Sequence, residues 1–181
     1  ADENYTQFAK DKDLRKLSFG LFDDSFMHKE HEKKNGEGYN EECWMSMGEN
    51  RWKTGACGGE ISYYSGSDQK NFTNPSGMYN HTWEEQAEKY HITFMIANDN
   101  PSKNSYNNAA RFKECSMAAG YHFVVTSCQS DGEQTKMVVK NIGVAPLYRD
   151  AYFAIGSTRS SETLRGLLPG ESLDVTVPVA L

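Results

Sequence analysis

The chain has no basic cluster longer than the Lys33-Lys34 pair, and no apolar run near the roughly 20 residues that a membrane-spanning helix needs. With a net charge of -6 and a sequence pI near 5.4, nothing is present to neutralise a run of phosphates, so nucleic acid is excluded as an expected partner. The lack of a long apolar run excludes a membrane span and predicts a soluble chain. No C-x-x-C pair occurs, which argues against a zinc site and a thioredoxin-like redox pair. There is no internal repeat and no low-complexity tract, and 181 residues exclude two large domains. The N-terminus lacks a charged segment followed by an apolar one, and a chain that starts at Ala1 is expected to be a processed product or a piece of a longer protein.

The cysteines that are present, Cys43, Cys57, Cys115 and Cys128, read as two disulfides with three possible connectivities, the pairing of nearest neighbours being the simplest. Asn4, Asn71 and Asn80 open N-x-Thr glycosylation triplets, a number close to chance. Disulfides and glycosylation both agree with an extracellular or secreted protein.

Four short apolar runs alternate with helix-like segments, the pattern of a parallel sheet with crossover helices. The runs are Leu17 to Phe22, the glycine-rich Thr54 to Glu60, Ile92 to Ala97, and Tyr121 to Thr126. Thr82 to Tyr90 opens with a capping box, Thr82 followed by Glu85, and Asn104 to Ala119 carries an apolar helical face that ends at Gly120. After Cys128 the pattern becomes strand-like alternation at Lys136 to Ile142, Ala151 to Ile155 and Ser172 to Val179. The expected fold is therefore α/β, with half of a TIM-like (β/α) barrel of about four βα units over residues 1–128 and a small antiparallel, sandwich-like β-domain over 129–181. A half barrel leaves one sheet face open. That predicts a partner, either a chain carrying the N-terminal half or a second copy, unless helices cover both faces.

Five motifs, Gly20-Leu-Phe-Asp-Asp-Ser-Phe26, Gly58-Gly-Glu60, His91-Ile-Thr-Phe-Met-Ile-Ala-Asn98, Ala119-Gly-Tyr-His-Phe-Val125 and Asn141-Ile-Gly-Val-Ala-Pro-Leu-Tyr148, stand in one order. In that order the chain resembles an uncharacterised domain-of-unknown-function family. The resemblance implies the C-terminal half of a glycosidase-like barrel plus a β-domain, usually following a companion domain that supplies the first half.

Ligands of such sheets lie beyond the carboxyl ends of the strands. Those ends carry Asp23 and Asp24, Glu60, Asn98 and Asp99, and Ser127. Glycoside hydrolysis needs one carboxyl to protonate the leaving oxygen and another as nucleophile or base. Glu60, with Gly58 and Gly59 before it, is the first catalytic candidate and Asp24 the second. Asp23, Asn98, Trp52 and Tyr63 are the substrate-binding candidates, the rings for stacking against a sugar face. Asp99 reads as a turn or helix cap, and Trp83 as packing at a helix start. His28 and His31 read as a solvated loop with no third metal ligand, His91 as structural, and His122 as a core residue. No metal and no cofactor is expected. Two functions fit: a glycosidase-like hydrolase of extracellular polysaccharide or glycoconjugate, or a non-catalytic carbohydrate-binding or structural surface protein.

Overall fold

The glycine-rich run becomes the central strand of a small parallel sheet, because two consecutive residues without side chains let both neighbours close in on it. The computed structural model describes residues 20–28, 44, 50–62, 66–96, 105–106 and 108–181. The chain divides into two compact units between Ala119 and Gly120.

In the first unit β1 (Leu21–Phe26), β2 (Cys57–Ile61) and β3 (Phe94–Ile96) form a parallel sheet in the order β1-β2-β3. Phe22 pairs with Gly58, which pairs with Phe94, and Asp23 pairs with Gly59, which pairs with Met95. A Cβ at Gly58 would lie 2.1 Å from the Phe94 carbonyl oxygen, and one at Gly59 would lie 1.8 Å from that of Asp23. At both positions a side chain would run into the backbone of the next strand. The register then shifts between Asp23 and Phe26, so that Asp24 and Ser25 together face Glu60. This bulge changes the strand's phase and turns Phe26 into the core together with its partner Ile61.

One face of the sheet is covered by helices. The unit contains α1 (Gly66–Asn71), α2 (Trp83–Lys89) and α3 (Ala109–Met117), with a 3-10 turn at Arg51–Lys53. The capping box of α2 forms as expected: the Glu85 amide donates to Thr82 Oγ1 at 3.2 Å, and the Thr82 amide donates to Glu85 Oε2 at 2.7 Å. Asn108 caps α3 by accepting from the Arg111 amide at 2.8 Å. Phe26, Met27, Ile61, Ala87, Tyr90 and Ile92 are buried in the core. Trp44 meets Phe26 and Tyr90 edge to face at 5.4 and 5.8 Å.

Two polar ties hold the helices. Trp83 Nε1 donates to the Cys115 carbonyl at 2.7 Å. Arg111 donates from Nε to the Thr73 carbonyl at 2.7 Å and from Nη2 to Glu84 Oε2 at 3.0 Å, while its Nη1 donates to Glu84 Oε1. A planar guanidinium satisfied on both edges joins α3, α2 and the segment after α1.

The second unit is antiparallel. β4 (Phe123–Ser130), β5 (Thr135–Asn141) and, after the hairpin β6 (Tyr152–Ile155) and β7 (Thr158–Thr163), β8 (Ser172–Val177) give a sheet ordered β4-β5-β8 and a two-stranded sheet β6-β7. Alternation along β5 and β8 buries Met137, Val139, Val175 and Val177, with Leu164 beside them. Asn141, fully buried, donates to the carbonyls of Ala145 and Leu167, each at 2.9 Å, and accepts from the Gly143 amide at 3.0 Å. β4 is an edge strand, exposed over most of its length, with a register shift between Val125 and Ser127.

The expected half barrel is not the fold. Strand outweighs helix, 38% to 20% of the described residues, and only three of the four expected parallel strands exist. The fourth run, Tyr121 to Thr126, belongs to β4, which continues through polar residues to Ser130 and pairs antiparallel with β5. The unit boundary accordingly precedes the expected 128/129 junction. The antiparallel strands expected after Cys128 are present, and β7 joins them. Cys57, Cys115 and Cys128 are free thiols, against the two-disulfide reading, and Cys43 lies outside the described residues. The physical reason is placement: Cys57 and Cys115 are buried, the Cys57 thiol donates to the Gly55 carbonyl at 3.6 Å, and burial pushes both thiols up to about 11.

Gly59→Ala should lower stability by at least about 2 kcal/mol, because the clash is with backbone that cannot swing aside. An unchanged urea midpoint would show that the strands do not approach this closely. Acid sensitivity follows from the Arg111 tie. Its hydrogen bonds hold the Glu84 carboxyl below its ordinary 4.5, so the unfolded chain binds the proton more readily than the folded one. The stabilisation is complete above that value and is lost as the pH falls through the lower, folded one. Urea midpoints measured from about pH 6 down to about pH 3 should fall less steeply for Glu84→Gln than for the wild type.

Candidate functional site

The face of the parallel sheet turned away from the helices carries aromatic rings and carboxylates in successive rows. The first row is Phe22, Gly58 and Phe94. With only a glycine between them the two rings lean together across β2, their centroids 6.4 Å apart and their planes at 32°. Phe22 is 56% exposed and Phe94 40%. The next row, toward the carboxyl ends, is Asp24, Glu60 and Ile96. Asp24 is exposed at the bulge, Glu60 is half-buried, and Ile96 is exposed. The core residues Ile61 and Met95 alternate to the opposite face.

The two catalytic candidates, Glu60 and Asp24, are thus brought to one face on adjacent strands. The binding candidates are not gathered there. Asp23 points to the other face and is buried; its Oδ1 accepts from the Ser25 amide at 2.7 Å and the Ser25 hydroxyl at 3.1 Å, which fixes the bulge. Trp52 precedes β2 and stacks on His91, which precedes β3, with ring centroids 3.5 Å apart at 16°. Both stand at the amino ends of the strands. Tyr63, Asn98 and Asp99 lie outside the described residues, as do Asn4 and His31. Of the other glycosylation candidates, Asn80 is exposed, whereas the Asn71 amide donates to the Ser67 carbonyl at 2.8 Å.

A polar cluster that the sequence did not announce ties the carboxyl ends of β1 and β2. Asp68 of α1 is fully buried. Its Oδ1 accepts from the Tyr79 hydroxyl at 2.7 Å and its Oδ2 from the Ser62 hydroxyl at 3.1 Å. His28, just beyond β1, stands with Nε2 3.9 Å from Asp68 Oδ2 and its side chain only 18% exposed, so the solvated-loop reading of His28 is corrected. The Ser62 amide donates to the Phe26 carbonyl at 2.9 Å. Met27 and Tyr79 both take left-handed backbone, with φ of 64° and 52°, which L residues adopt at a cost that surrounding contacts must offset. The buried carboxylate therefore braces the end of the sheet directly beyond the Asp24 and Glu60 row. No signal in the sequence marks Asp68: it is a lone acid in a six-residue helix. Among the described residues, no group of three or more His, Cys, Asp and Glu is placed to hold a metal.

No family model, curated protein or solved structure matches the chain. No helix among the described residues is long and apolar enough to cross a membrane.

Donation to Asp68 keeps the Tyr79 phenol protonated and pushes it up to about 12. In an NMR titration of carbon-labelled tyrosine, Tyr79 should ionise later in the wild type than in Asp68→Asn. Identical titration curves would show that the hydroxyl does not donate to this carboxylate.

Proposed function

We propose that the chain binds carbohydrate on the open face of its parallel sheet. The observation that carries this reading is the pair of exposed rings, Phe22 and Phe94, set over Gly58 one row before Asp24 and Glu60. A pyranose has an apolar C–H face that stacks on a phenyl ring and a rim of hydroxyls that donate to carboxylates. Rings beside acids meet both needs. The resemblance of the motif order to an uncharacterised family of glycosidase-like barrels points to the same ligand class, although the barrel expected with it does not carry over. An extracellular setting and glycosylation at exposed Asn80 belong to the same proposal.

Hydrolysis of the bound sugar is the second reading, favoured by one observation: Asp24 and Glu60 reach the same face from adjacent strands, as an acid and a nucleophile or base would.

A glycan microarray of neutral and acidic oligosaccharides, followed by calorimetry on the strongest binder, tests the proposal. Phe22→Ala and Phe94→Ala should each weaken binding about fivefold, the worth of roughly 1 kcal/mol of stacking, with folding unaffected because both rings are exposed. Wild-type affinity in the double variant would refute the site. Release of new reducing ends by the wild type and not by Glu60→Gln would establish hydrolysis. A stable dimer or larger complex that is abolished by Ile96→Glu would instead show that this face is covered by a second chain.

A further inference from the structure

A second recognition site lies in the antiparallel unit, on the β6-β7 hairpin. Arg159 of β7 lays its guanidinium over the ring of Tyr152 of β6, with Cζ 4.4 Å from the ring centroid. Among the described residues its side chain makes no ion pair and no hydrogen bond, whereas Arg111 and Arg165 are both paired with acids. The ring and the guanidinium border an open groove of about 570 Å³ whose other walls are Ser160, Ser161, Thr176 and Pro178.

Each part of this groove has a chemical consequence. The guanidinium lies over the Tyr152 ring with no acid on its N–H donors, and a guanidinium grips a carboxylate through two parallel hydrogen bonds from one edge. Arg159 is exposed, so that grip needs no desolvation of a buried charge. Glu162, three residues along β7, is already engaged. Its Oε1 accepts from the Ser161 hydroxyl at 2.9 Å and its Oε2 from the Thr176 amide at 3.3 Å; its own backbone amide first, and then these contacts, lower its proton affinity. It therefore fixes the groove wall and leaves the arginine unneutralised. The Thr176 and Ser161 hydroxyls stand along the same wall, suited to the hydroxyls of a ligand. A groove this size accommodates a sugar ring or two, larger than a free inorganic anion requires.

We propose that this groove binds a carboxylate-bearing saccharide, a uronic acid residue whose carboxylate sits on Arg159 and whose hydroxyls meet Thr176 and Ser161. The inference stands apart from the reading of the parallel sheet, because it rests on other residues in the other unit.

Titration of the whole chain with tetragalacturonate, followed by backbone amide NMR, tests it. The expected result is saturable shifts confined to amides of residues 158–162 and 174–178 and to Tyr152, weakened about tenfold in Arg159→Lys, which keeps the charge and loses the fork, and lost in Arg159→Ala. The methyl ester of the same oligosaccharide should not bind. A sulfated heparin tetrasaccharide and sodium acetate separate the possible sources of the negative charge. Binding of the sulfated sugar alone would overturn the carboxylate assignment, and equal shifts with acetate would reduce the site to an adventitious anion contact. Absence of shifts at millimolar tetragalacturonate, or shifts that survive Arg159→Ala, would overturn the proposal. The Phe22→Ala, Phe94→Ala double variant should bind tetragalacturonate at this groove as the wild type does, so failure at one site is read separately from failure at the other.

Discussion

The first unit depends on a constraint of space: the absence of side chains at Gly58 and Gly59. At both positions a Cβ would meet the backbone of a neighbouring strand. Because nothing stands there, β1 and β3 can both close on β2, and the Phe22 and Phe94 rings can lean toward each other above it. Any larger residue would force a strand outward and separate the rings. The sheet's hydrogen bonding, the open aromatic face and the position of Glu60 one residue later all follow from the same two positions.

The covered face answers with a different economy. Burying an arginine is costly unless every donor finds an acceptor. Arg111 meets that condition by drawing on a backbone carbonyl and a carboxylate at once. Asp68 is its mirror image, a buried carboxylate satisfied by two hydroxyls, with an imidazole nearby. Each charged group joins segments far apart in sequence, which lets a sheet of only three strands hold its helices.

Much of the local structure was legible in the residues. The Thr82 and Glu85 pair located a helix start, the Asn104 to Ala119 pattern located another helix, which forms over the shorter span Ala109–Met117, and alternation after Cys128 located antiparallel strands. Reading candidates from strand ends brought forward Glu60 and Asp24, and both lie on one face. The global arrangement was not legible in the same way. A run such as Tyr121 to Thr126 has the composition of a buried parallel strand, yet only its partner decides its direction, and that partner is β5. Phe22 and Phe94 escaped notice because their meeting depends on the register of strands separated by most of the unit. Asp23 and Trp52 belong elsewhere for a related reason: ordinary alternation along β1 puts Asp23 on the face opposite Phe22 and Asp24, and Trp52 stands at the amino ends of the strands.

The irregularity in β4 has a consequence of another kind. Among the described residues β4 has a strand on one side only, and an edge strand with an exposed apolar residue such as Val125 is the geometry from which sheet-to-sheet aggregation grows. The shift between Val125 and Ser127 interrupts the ladder midway, and the polar residues beyond it carry little apolar surface for a second strand to bury. The defect in pairing works as a guard on solubility, and straightening β4 would gain regularity at the risk of self-adhesion.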